Sequence, residues 1–184
     1  GNEINSIHKK DWDVHVCFIY PDLYEVGMSN IATQILYYIM NNEDGIYCER
    51  AFAPKLDMER FLRENKKPLF SLETKTSLKK FDILAFTLSY EMTYTNILNM
   101  LDMSNIGFER ESRTEEDPII IAGGTGAYNP KVMEKFIDLF VIGEGEEVII
   151  EIVDILKRSQ SLTRDEKLKN LSKIKGVYVP KYYK

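Results

Sequence analysis

Two glycine-rich turns are the residues of this chain best suited to hold a ligand. Gly123 and Gly124 end one apolar run, and Gly143, Glu144 and Gly145 follow a second one. Glycines have no side chain and allow positive φ, so a planar group could lie directly on the backbone. The competing interpretation is a tight turn from strand to helix. Carboxylates in the second turn would repel phosphate, so we do not predict a phosphate site there.

Other patterns that could carry chemistry are incomplete. The run from Gly124 nearly matches the dinucleotide motif G-x-G-x-x-G, but Asn129 takes the last glycine position and the run does not follow the first strand. His15 and Cys17 would share one face of a strand, yet no further ligand completes a metal site. A phosphoacceptor domain needs an Asp where Ser89 stands. We therefore predict no nicotinamide site, no metal site and no receiver domain.

The elements that position these turns alternate between strands and helices. Apolar runs predict strands at residues 14–20, 46–53, 83–89, 119–122 and 139–142. Helical periodicity predicts helices at about 28–40, 57–65, 94–102, 130–136 and 147–157. This alternation favours parallel pairing with right-handed crossovers. We predict a flavodoxin-like (Rossmann-like) α/β fold with five parallel strands in the order 2-1-3-4-5 and helices on both faces. Ligands of such sheets bind at the carboxyl ends of the strands.

The chain of 184 residues is long enough for one domain with a full core. We assign residues 13–160 to the α/β domain and residues 161–184 to a C-terminal helix followed by an extended linker. The apolar, aromatic tail after Gly176 leaves three possibilities open. It could lie exposed, pair with an edge of the sheet, or pair with a neighbouring chain.

Composition excludes several classes of function. The net charge is −5 and basic residues are not clustered, which argues against a nucleic-acid surface. No apolar run is long enough to span a bilayer and no secretory signal is visible. The two cysteines do not suggest a disulfide framework, so we expect a reducing, cytoplasmic location.

The glycine turns also carry a family resemblance. GGTGAYNP followed by FIDLFVIGEGEE resembles the N-terminal cobalamin-binding-like domain of radical S-adenosylmethionine (radical SAM) proteins. PDLYEVGMSN and FTLSYEMTYTNIL look typical of an uncharacterised branch of that family. The resemblance covers about residues 14–156 and implies that cobalamin is the ligand.

The resemblance places three cobalamin motifs on this chain, two of them altered. Where D-x-H-x-x-G supplies a histidine to cobalt, this chain has Asp22, Tyr24 and Gly27. A phenol with a pKa of about 10 is a poor cobalt ligand, so we do not expect cobalt ligation by the protein. Related radical SAM enzymes hold cobalamin without a histidine. Where S-x-L is usual, Ser89 is followed by Tyr90 and Glu91. The double glycine is intact. The implied cofactor-binding residues are Asp22, Tyr24, Gly27, Ser89, Gly123, Gly124, Gly143, Glu144 and Gly145, with no catalytic or metal-ligating residue.

The radical SAM cluster motif C-x-x-x-C-x-x-C is not present, because Cys17 and Cys48 are the only cysteines. The resemblance therefore implies that the iron–sulfur cluster and S-adenosylmethionine bind a C-terminal radical SAM domain, which would follow this chain and be its partner. This domain would be inactive alone. Two alternatives stay open: a structural module that caps the catalytic barrel, and a small-molecule or nucleotide sensor. The sequence does not fix the oligomeric state.

Overall fold

A mostly parallel six-stranded sheet forms the centre of the protein. The computed structural model describes residues 6–183. Its strands are β1 (Val14–Tyr20), β2 (Ile46–Phe52), β3 (Ile83–Thr87), β4 (Ile119–Gly123), β5 (Leu139–Val141) and β6 (Val177–Tyr178). All seven residues of β1 are buried, as expected for a central strand covered on both faces. The α/β class that the sequence predicts is therefore confirmed.

The sheet has the order β2-β1-β3-β4-β5-β6. The first five strands are parallel and follow the predicted order. The prediction of a five-stranded sheet is wrong, because β6 pairs antiparallel with β5. The chain reverses at Gly176, whose φ is +86°, and Val177 and Val179 are buried. The apolar tail thus pairs with a sheet edge, which is one of the three possibilities that the sequence left open.

Six α-helices cover the two faces of the sheet in the described residues. They are α1 (Tyr24–Ser29), α2 (Ile31–Asn42), α3 (Leu56–Glu64), α4 (Tyr94–Met103), α5 (Gly145–Arg158) and α6 (Arg164–Leu171). One core packs α2, α5 and α6 against the sheet, and a second core packs α3 and α4 against the other face. Between residues 6 and 183, no helix combines the length and apolar character needed to cross a membrane.

The helix predicted at residues 130–136 is wrong. The structure has two short 3-10 turns there, Thr125–Tyr128 and Pro130–Val132. Asn129 separates them with φ −120° and ψ 71°, which is not helical. Met133 N–H then bonds the carbonyl of Pro130, three residues back. This connection is therefore too tight for an α-helix.

A buried carboxylate ties the C-terminal helix to the sheet. Asp138, just before β5, accepts hydrogen bonds from Arg113 Nη1 at 3.0 Å, Arg164 Nη2 at 2.6 Å and the Ile120 N–H at 2.8 Å. The Arg164 guanidinium also binds the carbonyl of Asp117. Leu168 and other residues of α6 join the same core as β1. The C-terminal segment thus packs on the sheet.

Candidate functional site

The glycine turns after β4 and β5 meet at the carboxyl edge of the sheet. Gly123, Gly124, Gly143 and Gly145 line a cavity of about 100 Å³ between α2 and α5. The rest of its wall is almost entirely apolar and comprises Phe18, Ala32, Leu36, Ala85, Phe86, Thr87, Ile121, Val141 and Ile149. We call this cavity the glycine slot. The structure therefore brings together four of the predicted site residues.

The glycines of the slot serve two different purposes. A Cβ atom on Gly143 or Gly145 would meet no atom within 4 Å, so the backbone there faces open space. Gly124 has φ +99°, and its Cβ would lie 3.0 Å from the carbonyl oxygen of Leu88. Gly124 is thus required by the turn itself, and so is Gly143, whose φ is +110°. Gly143 and Gly145 also leave room that a ligand can occupy.

Ser89 lies beside the double-glycine turn. Its carbonyl accepts a hydrogen bond from Thr125 Oγ1 at 3.0 Å. Leu88 N–H also bonds the carbonyl of Gly123 at 2.7 Å. The end of β3 and the turn after β4 therefore form one continuous wall, and the half-buried Ser89 stands at its outer end.

Asp22 joins the loops that follow β1 and β3. One carboxylate oxygen accepts the Leu23 N–H at 2.7 Å, and the other accepts the Tyr90 hydroxyl. This hydrogen bond raises the pKa of Tyr90 to about 12. Because β1 and β3 flank the point where the strand order reverses, the bond crosses the usual ligand crevice of this sheet. Both oxygens of Asp22 are used within the protein.

Tyr24 and Gly27 face away from the glycine slot. The Tyr24 ring packs edge-on against Phe52, with centroids 5.4 Å apart. It lines a separate groove of about 430 Å³ between α3 and residues 69–75. A Cβ on Gly27 would lie 2.4 Å from the Phe52 ring, so this glycine lets α1 pack on β2. The structure does not bring the first motif to the slot.

Glu144 occupies the N-cap position of α5 and is exposed. Its side chain makes no capping hydrogen bond, but Glu146 and Glu147 lie in the first turn of the helix. Carboxylates at a helix N-terminus interact favourably with the helix dipole. They also make this rim of the slot anionic, which disfavours a phosphate ligand.

A buried contact between a glutamate of β2 and a histidine of β1 was missed by the sequence reasoning. Glu49 is fully buried and its Oε1 lies 2.8 Å from His15 Nε2. Thr74 donates to Glu49 from both its N–H and its hydroxyl. Burial opposes ionisation of Glu49, but hydrogen bonds from His15, Ser71 and Thr74 outweigh it and lower the pKa. His15 is thus part of a structural cluster, and Trp12 and Tyr47 contact its ring.

Arg50, the next residue of β2, is also buried. Its Nε and backbone N–H bind the two carboxylate oxygens of Glu73, each at 2.7 Å, and its guanidinium lies 4.1 Å from the centre of the Tyr37 ring. Burial raises the pKa of Glu73. The sequence did contain a signal for this cluster, namely adjacent Glu and Arg residues inside an apolar strand. Such residues can be buried only if another segment covers the edge of β2 and supplies polar partners. Between residues 6 and 183, no three His, Cys, Asp or Glu side chains group as metal ligands.

Comparison with known proteins identifies the family. No curated protein matches the chain. The family described as the N-terminal region of radical SAM proteins matches residues 32–180, which is most of the chain and includes both glycine turns, α5 and β6. The chain therefore belongs to the family of N-terminal regions of radical SAM proteins.

Proposed function

We propose that this N-terminal region binds cobalamin for a radical SAM iron–sulfur enzyme, without a protein ligand to cobalt. The observation that carries the proposal is the apolar glycine slot at the carboxyl edge of the sheet. Open space in front of Gly143 and Gly145 lets a ligand touch the backbone. This is the edge at which sheets of this type bind cofactors.

The apolar lining of the slot suits one part of the cofactor. Its volume of about 100 Å³ is smaller than the roughly 150 Å³ apolar cavity that holds a benzene ring, so the slot admits only an edge of the aromatic base of the nucleotide tail. The rest of that base and the corrin ring would lie outside it, over the exposed edge of the sheet. Cobalamin, when bound, supplies a cobalt centre that carries alkyl groups. Tyr24 lines another groove, so the loop after β1 offers no ligand to cobalt from that position.

The reaction itself belongs to another domain under this proposal. A C-terminal radical SAM domain would hold the iron–sulfur cluster and S-adenosylmethionine, since Cys17 and Cys48 are both buried on this domain. Burial raises the pKa of both thiols, which disfavours the thiolate that a cluster needs. This domain alone is then inactive and serves as a cofactor platform for its partner.

The second candidate is a structural module that caps the catalytic barrel. It is favoured by the use of both Asp22 oxygens within the protein and by the packing of Tyr24 on Phe52. Large apolar side chains also lie exposed in the loops near the carboxyl edge, with Met92 83% exposed and Tyr128 68% exposed. A barrel resting on this edge would cover them.

A titration with hydroxocobalamin separates the two candidates. The purified protein is mixed with the cofactor, passed through gel filtration and measured by visible absorbance. We expect one retained equivalent in the wild type. Gly145→Leu should fill the slot and weaken binding at least about tenfold, equivalent to 1.4 kcal/mol. Glu146→Leu is the matched control on the exposed side of the same helix turn and should bind like the wild type.

Two results would contradict the cobalamin proposal. A colourless wild-type protein after gel filtration would favour the structural module. Equal binding by Gly145→Leu and the wild type would show that any bound cobalamin does not use the glycine slot.

A further inference from the structure

The sulfur atom of Met28 lies among hydrogen-bond donors. Arg50 Nη1 is 3.4 Å from Met28 Sδ, and Gln34 Nε2 is 3.8 Å from it. Met28 is half-buried near the end of α1, so part of its side chain is open to solvent, whereas Arg50 is only 2% exposed. A thioether sulfur is a weak acceptor, so Arg50 Nη1 is poorly satisfied there. Gln34 Nε2 also donates to the Met28 carbonyl at 3.0 Å.

The Arg50 guanidinium also has a hydrogen-bond donor that is not used. Its Nε binds Glu73 and its plane lies over the Tyr37 ring. Its Nη2 is buried and has no hydrogen-bond acceptor among residues 6–183. A buried donor without an acceptor is costly, so a stronger acceptor near Met28 Sδ would stabilise this cluster.

We propose that Met28 is a site of oxidation to methionine sulfoxide by hydrogen peroxide, with Arg50 stabilising the product. A lone pair of Sδ attacks one peroxide oxygen, the S–O bond forms and the O–O bond breaks. Sulfur loses two electrons, and the other oxygen departs as hydroxide, which takes the proton from the oxygen now bonded to sulfur and leaves as water. N–H groups of the guanidinium stabilise negative charge on the departing oxygen. The new sulfoxide oxygen then accepts from Nη1 and Nη2.

The other methionines lack this arrangement. Met40, Met100, Met103 and Met133 are buried. Met58 is 44% exposed and Met92 is 83% exposed, and neither sulfur receives a hydrogen bond from the described residues. Oxidation there creates a polar group in water, which stabilises nothing in the fold. Oxidation at Met28 instead ties the end of α1 to β2.

The experiment uses a background with Met58→Leu and Met92→Leu, so that Met28 is the methionine available to peroxide. The folded protein is treated with hydrogen peroxide, mapped by mass spectrometry and melted by circular dichroism. We expect one added oxygen at Met28 and a Tm about 3 °C above that of the reduced protein. Adding Met28→Leu should abolish both changes.

The role of Arg50 is tested with Arg50→Lys, which keeps a positive charge near Glu73 but lacks Nη2. In that variant, oxidation of Met28 should lower the Tm. Two outcomes overturn the proposal: no oxygen at Met28 under peroxide conditions that oxidise it fully in urea, or a lower Tm after oxidation in the background protein. If Arg50→Lys does not fold, the comparison of Tm before and after oxidation in the background protein still decides the question. Neither of the two outcomes depends on cobalamin binding.

Discussion

Alanine substitutions at two glycines of the slot should have opposite effects on stability. Gly124 has φ +99° and ψ −174°, a backbone conformation that is essentially reserved for glycine. Forcing another residue into it costs about 1–3 kcal/mol. The new Cβ would also press on the Leu88 carbonyl oxygen at 3.0 Å. We expect Gly124→Ala to lose about 2–3 kcal/mol, which lowers the Tm by about 4–12 °C.

Gly145 is the first residue of α5, and a Cβ there meets nothing within 4 Å. Alanine reduces the conformational freedom of the unfolded chain without strain in the folded one. The expected gain is about 0.4–1 kcal/mol, or a Tm rise of about 1–4 °C. The pair of variants thus compares a glycine required by the turn with one that leaves free space.

Urea and thermal unfolding, followed by circular dichroism on the two variants and the wild type, measure both values. A Gly124→Ala protein as stable as the wild type would refute the argument from its backbone and from Leu88. A destabilised Gly145→Ala protein would show that the space in front of this glycine is filled in solution, so that the slot is not open.

Three further predictions follow from buried groups. Asp138→Asn should cost about 3–5 kcal/mol in urea unfolding, because it leaves buried arginines uncompensated. The control Asp154→Asn changes a carboxylate that is 47% exposed and should stay within about 0.5 kcal/mol of the wild type. The lowered pKa of Glu49 contributes stability that is present above its usual 4.5 and is lost as pH falls. The stability difference between the wild type and Glu49→Gln should therefore shrink in acid unfolding below about pH 4.5. Cys17 and Cys48 should resist a colorimetric thiol reagent in the folded protein and both react in urea, because burial raises their pKa; reaction without denaturant would show that the core opens.

The strand order could be predicted because each parallel strand is a continuous apolar run. The pattern expected of a buried strand is shown by VHVCFIY and by the run before Gly123. The alternation of strands with helices then limits the possible topologies. The glycine turns were predictable for the same reason, since they mark where these strands end. Their convergence in one slot follows from the parallel arrangement alone.

The remaining features depend on contacts between distant parts of the chain. The direction of Tyr24 is decided by Phe52 on the neighbouring strand, which no local pattern reveals. Burial of Glu49 and Arg50 depends on residues 69–78 covering the edge of β2 and supplying Glu73 and Thr74. The pairing of β6 rests on an available sheet edge rather than on strand propensity, since only two residues form it.

A hydrogen bond of 2.7 Å from the Ile142 N–H to the Gly176 carbonyl joins the C-terminal segment to the strand that ends at the slot. Ile142 directly precedes Gly143, so a force on β6 is transmitted through a single peptide to the rim of the slot. Asp138 anchors the opposite end of the same strand to α6. A twist applied to the C-terminal segment would therefore pivot β5 about this anchor and change the width of the slot. Under the cobalamin proposal, a partner that displaces β6 would change the retention of the cofactor without touching it.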